Sequence, residues 1–264
     1  MRTRTLESIT SFESSLYRHP RVRPNTVGNR PLRLLITDFD HTLTVGKEAD
    51  WFAFASSLRM IKCRIPPRSA FFRWRRLHDV HAIALNLCKG DEQLANRVIR
   101  ARRRFLYTKM ARSRIAMKPG VKGPLQEIRR RVKVMAIATT SNRGEVMRLL
   151  RKNNMAYLFD SVESREFRGR DPVRSQAKKL EMYGTLLRRF SVRAENTLVV
   201  GNSANDLIPG LNLGCSVVAM AGDYGVEKGL REMGAASVDS WKELLSVLDH
   251  EGFNLSSLRP REGV

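Results

Sequence analysis

Asp38 and Asp40 stand one residue apart at the end of the run Leu34-Leu35-Ile36-Thr37, ahead of His41-Thr42-Leu43-Thr44. The apolar run reads as a short buried strand. Its carboxyl end is where open α/β sheets bind their ligands. In extended backbone residues i and i+2 point the same way, so both carboxylates can face one cleft. Two acids that close repel each other unless a cation or a shared proton offsets the repulsion. A hard cation such as Mg²⁺, which takes oxygen ligands, would hold both ionised. The same residues also suit an Asp-rich turn, since Asp is a common turn former.

Three later stretches carry polar groups at comparable places. A second apolar strand, Val132–Ala138, runs into Thr139-Thr140-Ser141-Asn142 before a helix. Hydroxyls and free N–H groups at such a turn make a phosphate cradle, or an ordinary N-cap. Lys178-Lys179 opens the helix before the third core strand. Taken alone, that pair is two solvated helix cations. Val199-Val200 then leads into the loop Gly201-Asn202-Ser203-Ala204-Asn205-Asp206.

Asp-x-Asp-x-Thr-Leu-Thr after an apolar strand resembles the first motif of the haloacid dehalogenase-like phosphohydrolases. The other three stretches follow in that family's order, and the resemblance covers about residues 31–250. Ala138-Thr139-Thr140-Ser141 is similar to the Ala-Thr-Ser-Ser of the sugar-phosphate mutase-like branch. That puts the phosphate-holding hydroxyl on Thr139, with Thr140 as the alternative. Counting back from Val192 as in the phosphoserine phosphatase-like branch puts the family's Lys at Lys179. A Lys suits that task as a compact point charge on a flexible stem. The last loop resembles Gly-Asp-x-x-Asn-Asp with one departure: Asn202 replaces an Asp that commonly helps bind Mg²⁺. An amide oxygen still coordinates a hard cation but brings no charge. Weaker metal binding follows, and a catalytically reduced protein is the alternative to an active one.

The resemblance implies a Mg²⁺-dependent phosphatase acting on a phosphorylated small molecule. Asp38 would attack phosphorus and form an aspartyl-phosphate. Asp40 would protonate the leaving oxygen and then help activate water. Asp38, Asp206, Asn202 and the Asp40 carbonyl would hold the metal, and Thr139 and Lys179 the phosphoryl oxygens.

The elements that must position these residues form a regular alternation. From Lys118 onward strands and helices alternate to about Leu248, which argues a parallel sheet with helices on both faces. The expected strands are Val132–Ala138, Phe159–Val162, Thr197–Val200 and Ser216–Met220. The expected helices run from Pro119-Gly120 to Arg131, then over Gly144–Asn153, Gln176–Phe190, Asn205–Leu213 and Ser240–Leu248. Residues 45–117 interrupt this pattern as a helical block, with helices over Asp50–Met60, Ser69–Leu87 and Asp91–Met117. Asp91 suits an N-cap. An insertion after the first strand is where the family's cap sits, and the family's substrate specificity lies in it. The organisation is thus an α/β Rossmannoid core, 31–44 and 118–250, with a basic helical cap, 45–117. A basic extension over 1–30 and a tail over 251–264 flank them.

Composition adds a second theme. The 264 residues carry a net charge of +22. Residues 45–119 hold 18 Lys and Arg against five Asp and Glu, and residues 1–33 seven Arg against two Glu. Such a balance predicts an acidic partner, with nucleic acid ahead of anionic membrane. Phe71-Phe72-Arg73-Trp74-Arg75-Arg76 and Arg102-Arg103-Arg104 interleave charge and aromatics as RNA surfaces do, or place aromatics on the cap's buried face. A basic RNA- or ribosome-associated protein is therefore the alternative function. Leu6, Ile9, Phe12 and Leu16 at helical spacing suit a targeting presequence, a binding arm or a disordered tail. Three scattered cysteines suit a reducing compartment, cytoplasmic or mitochondrial matrix. No apolar run approaches the ~18 residues a membrane span needs.

Overall fold

β1 (Leu34–Thr37) lies at the centre of a six-stranded parallel sheet because both of its faces are apolar. Leu35 packs on one side with Met135, Ile137 and Val200, while Leu34 and Ile36 pack on the other with Ala136 and Val199. The computed structural model describes residues 30–166, 172–225, 230 and 235–255. The sheet order is β5-β4-β1-β6-β7-β8, with β4 Val134–Thr139, β5 Ser161–Ser164, β6 Thr197–Gly201, β7 Ser216–Met220 and β8 Ala236–Val238. The chain moves outward from β1 through β4 to β5, then returns to the other side of β1 as β6. Such a reversal opens a crevice at the carboxyl ends of the strands. The fold is an α/β Rossmann-like core with helical segments.

Helices cover both faces. α6 (Lys122–Arg131), α7 (Arg143–Lys152) and α10 (Trp241–His250) lie on the Leu35 side, and α8 (Pro172–Phe190) and α9 (Ala204–Asn212) on the other. Residues 251–255, expected as a tail, return to the sheet instead. Leu32 N–H donates to Phe253 O (2.8 Å), Leu255 N–H donates to Arg30 O (2.9 Å), and Leu255 is buried. Apart from Arg30, the expected N-terminal extension lies outside the described residues.

Between β1 and β4 the chain leaves through β2 (Thr44–Val45) and returns through β3 (Ala116–Met117), which pair as an antiparallel ribbon. Beyond the ribbon lie α1 (Lys47–Met60), α2 (Arg68–Arg75), α3 (Val80–Leu87), α4 (Glu92–Leu106) and α5 (Lys109–Arg112). Phe54, Leu58, Phe71, Ile83 and Val98 form their shared core. The expected helix over Ser69–Leu87 is two helices, because the Asp79 side chain accepts from Ala82 N–H and starts a new one. Thr108 likewise caps α5 and cuts short the helix expected to reach Met117. Asp91 caps α4 as its position suggested. Among the described residues no helix is long and apolar enough to cross a membrane.

Candidate active site

The sheet holds Asp38 in place before the chain turns. Leu34, Leu35 and Ile36 are fully buried, and Asp38 N–H donates to Val200 O on β6 at 2.9 Å. A tight turn follows. Leu43 and Thr44 N–H both donate to the Phe39 carbonyl, at 3.0 and 3.2 Å, and His41 takes a left-handed φ of 59°. The turn brings Thr42 back beneath the carboxylate, so that its single hydroxyl proton has two acceptors in reach, Asp38 Oδ2 (3.3 Å) and Asn202 Oδ1 (3.1 Å).

Lys179 reaches this point from α8 and is 2% exposed. Its ammonium contacts Asp38 Oδ1 at 2.6 Å, Asp206 Oδ1 at 2.8 Å and the Ala138 carbonyl at 2.7 Å. Three donors thereby meet three oxygens, which is all an ammonium can offer. Burial alone would depress the Lys179 pKa, but Asp206 and Asp38 outweigh it and hold the group well above its ordinary value. Asp38 goes the other way from a normal carboxylate. Burial, then the charge of Asp206, push it up to about 7 against the pull of Lys179. Two carboxylates around one ammonium leave a buried negative charge over.

Asp206 uses its second oxygen within its own loop, accepting from Ser203 N–H (3.1 Å) and Ser203 Oγ (2.7 Å) at the start of α9. Only glycine fits beside it at 201, where a Cβ would lie 2.3 Å from the Asp206 Cβ. Asp40 sits on the open side, accepting from the Ser141 hydroxyl. Thr139 ends β4 buried, and its Oγ1 accepts from Ser141 N–H at 3.0 Å. Thr140 lines a cavity of about 330 Å³ beside Asp40. Leu106, Tyr107 and Arg112 close that cavity from the α4–α5 side.

Asp38 therefore meets Asn202 through Thr42 and Asp206 through Lys179, with Asp40 and Thr139 joined through Ser141. Thr42 and Ser141 were not singled out in the sequence, although both lie inside the stretches that were. Asp223 had no sequence signal. It arrives from the loop after β7, where its Oδ2 accepts from Gly46 N–H (2.6 Å) and contacts His41 Nδ1 (2.9 Å). Burial works to lower the His41 pKa, but the hydrogen bond and charge of Asp223 raise it overall.

Comparison with known proteins bears on the family and the fold. Residues 35–220 match the model of the haloacid dehalogenase-like hydrolase family. A hydrolase of the haloacid dehalogenase-like family from Streptococcus pneumoniae superposes with a TM-score of 0.60 at 14% identity, over 82% of this chain and 98% of its own. A predicted phosphatase from Clostridium acetobutylicum gives 0.61 at 16%, over 83% and 99%. A predicted phosphoglycolate phosphatase from Haemophilus somnus gives 0.58 at 18%, over 82% and 97%. At such identities the likeness speaks for the fold. No curated protein matches the chain.

Proposed function

The chain belongs to the haloacid dehalogenase-like hydrolases, and from that premise we propose that it hydrolyses a phosphomonoester through an aspartyl-phosphate on Asp38. The observation that carries this is the Lys179 ammonium locked between Asp38 and Asp206, with Asp40 facing a cavity. Lys179 holds Asp38 Oδ1 at 2.6 Å and so orients the carboxylate for attack on phosphorus. As the new P–O bond forms, the bond to the leaving oxygen breaks, and that oxygen takes a proton from Asp40. The leaving group then lies in the cavity beside Asp40. Water attacks phosphorus in the second step, Asp40 takes its proton, and Asp38 is released. The positive charge of Lys179, whose three donors stay on Asp38, Asp206 and Ala138, and the Thr139 hydroxyl stabilise the phosphoryl oxygens.

Mg²⁺ fits the donors in kind, since Asp38 Oδ2 and Asn202 Oδ1 converge on one hydroxyl, and with these the Asp40 carbonyl would hold the ion as the family resemblance implies. Among the described residues no group of three or more His, Cys, Asp or Glu forms a metal centre, so the set depends on neutral oxygens. Asp206 has both oxygens engaged and serves that set through Lys179. When bound, the ion neutralises charge on the phosphoryl oxygens. Hydrolysis of p-nitrophenyl phosphate with Mg²⁺, lost on adding EDTA, is the expected result. Undiminished turnover in EDTA would remove the metal from the scheme.

A second activity, docking on RNA, is favoured by one observation. Arg97, Arg100 and Arg104 are exposed along one face of α4 and make no ion pair among the described residues. Arg102, by contrast, points inward to Asp50 at 2.8 Å, and Phe71 is fully buried, so the interleaved runs are largely structural. Replacing Arg97, Arg100 and Arg104 with Gln should flatten the slope of log K against log[salt] for single-stranded RNA by up to about two units. Fluorescence anisotropy across a salt series measures it. Absence of binding at low salt would end this second role.

A further inference from the structure

His41 has no part in the chemistry above, yet it lines the same cavity as Asp40. It follows Asp40 directly, and consecutive Cα atoms are about 3.8 Å apart. Its φ of 59° lies in the left-handed region, which few residues other than glycine adopt. Two contacts hold it there. Its N–H donates to Thr44 Oγ1 at 3.1 Å, and its Nδ1 contacts Asp223 Oδ2 at 2.9 Å. The Asp223 side chain is fully buried, and the same oxygen accepts from Gly46 N–H. The ring also packs against the backbone at Gly46, where a Cβ would be 3.0 Å from His41 Cε1. A residue in a sparsely populated conformation that its surroundings over-determine in this way points to a task.

The other edge of the ring points to what the task is. A carboxylate only accepts, so Nδ1 carries the hydrogen in the bond to Asp223. The His41 side chain is nevertheless 42% exposed, and Nε2 has no hydrogen-bond partner among the described residues. With Nδ1 turned to buried Asp223, Nε2 is the polar atom that the ring can offer to the cavity. On a neutral ring this nitrogen accepts, and on an imidazolium it donates. A hydroxyl meets either state through one atom, because it both donates and accepts. Much of the remaining wall is apolar, formed by Phe39, Leu106, Ile115 and Leu149. Against such a wall a hydroxyl without a partner is disfavoured. Glu145 is already paired with Arg112.

We propose that His41 is a ligand of the leaving group, and that the esters this chain prefers carry a hydroxyl beside the ester oxygen. This rests on the phosphatase reading above. The test uses an isosteric pair, 2-hydroxyethyl phosphate and propyl phosphate, which differ by a hydroxyl in place of a methyl group. kcat/KM for each is measured on the full chain with Mg²⁺, with p-nitrophenyl phosphate as the control ester. Wild-type protein should favour the hydroxyethyl ester by about tenfold or more, the worth of one hydrogen bond. His41→Asn withdraws the ring but keeps a residue type that accepts left-handed backbone, and it should bring the ratio close to one. A loss of activity that leaves the ratio unchanged would make His41 structural and overturn the proposal. A wild-type ratio near one would overturn it as well, and so would turnover of p-nitrophenyl phosphate with neither alkyl ester accepted. Both of those results leave the phosphatase reading standing. No turnover of any of the three esters would take that reading down too. Should His41→Asn fail to fold, Asp223→Ala releases the ring and removes the unpartnered Asp223 Oδ1. The ratio should fall in that variant, and an unchanged ratio would contradict the role of His41.

Discussion

In the sheet core one ammonium, Lys179, sits between two carboxylates, Asp38 and Asp206. Among the inserted helices one carboxylate, Asp50, sits between two guanidinium groups, Arg75 and Arg102. Both clusters are buried, and they are built with opposite signs. Asp50 has every oxygen engaged: Oδ1 takes Arg102 at 2.8 Å, and Oδ2 takes Arg75 at 3.2 Å and the Tyr224 hydroxyl at 2.9 Å. Burial works to raise its pKa, but Arg102 and Arg75 outweigh that and hold it below the usual carboxylate value. Asp38 has one oxygen locked by Lys179 and a pKa pushed up to about 7, by burial first and Asp206 next. A closed cluster of this kind fixes structure. A cluster with charge left over is poised to meet a cation or an electrophile.

The contrast can be broken most forcefully at Asp38. Asp38→Asn should cut hydrolysis of p-nitrophenyl phosphate by about 10⁴-fold or more, because an amide cannot act as the nucleophile. Its stability should hold or rise, since the change removes the surplus buried charge. Urea unfolding alongside the assay checks both halves. A variant that loses stability and activity together would make Asp38 structural.

Asp50→Asn is the mirror experiment. It leaves two buried guanidinium groups facing each other and should cost about 3–5 kcal/mol of stability. Activity per folded molecule should fall far less than in Asp38→Asn. A urea midpoint equal to wild type would mean that the cap cluster is not what holds the inserted helices to the Tyr224 loop.

The two carboxylates also pull the pH dependence of stability in opposite directions. In the metal-free protein Asp38 binds its proton more tightly folded than unfolded, so its contribution favours the folded state at low pH. That contribution declines as pH rises from about 4 towards about 7. Asp50 has a lowered folded pKa, so its contribution is present above the unfolded value and is lost as pH falls through the folded one. Unfolding free energies measured across pH should therefore lose the decline between about 4 and 7 in Asp38→Asn, and lose part of the acid-side fall in Asp50→Asn. Identical profiles in wild type and Asp38→Asn would contradict the raised pKa.

The smallest effect concerns Asn202. Asn202→Asp adds a carboxylate beside Thr42 and should tighten Mg²⁺ binding by about tenfold, since charge count tunes such sites. Calorimetry with Mg²⁺ measures it. Unchanged affinity would mean that the Asn202 oxygen does not face the metal.

The sheet was legible because β1, β4, β6 and β7 are near-continuous apolar runs, and the alternation of elements left few topologies. Asp38, Asp40 and Asp206 could be singled out because each stands at an element's end in a recognisable local pattern, whereas Lys179, two turns inside α8, could be placed only by the order of the family's motifs. The cap was less legible. Its residues obey helical spacing, but Asp79 and Thr108 restart helices through side-chain caps, which periodicity does not register. Arg102 and Arg104 look alike in the sequence, yet one points inward to Asp50 and the other outward. That difference depends on which helix α4 packs against. Asp223 and Tyr224 were hidden for a related reason: only the return of β7 to the sheet brings their loop to His41, Gly46 and Asp50.

The central claim is covalent chemistry at Asp38, and the most direct measurement is to trap it. Protein turning over p-nitrophenyl phosphate with Mg²⁺ is quenched and treated with borohydride, which reduces an acyl phosphate to the alcohol. Peptide mass spectrometry should then find homoserine at position 38, and Asp40 and Asp206 unmodified. Active enzyme with Asp38 intact and another residue reduced, or with no residue reduced at all under conditions that trap an acyl phosphate, would contradict the mechanism.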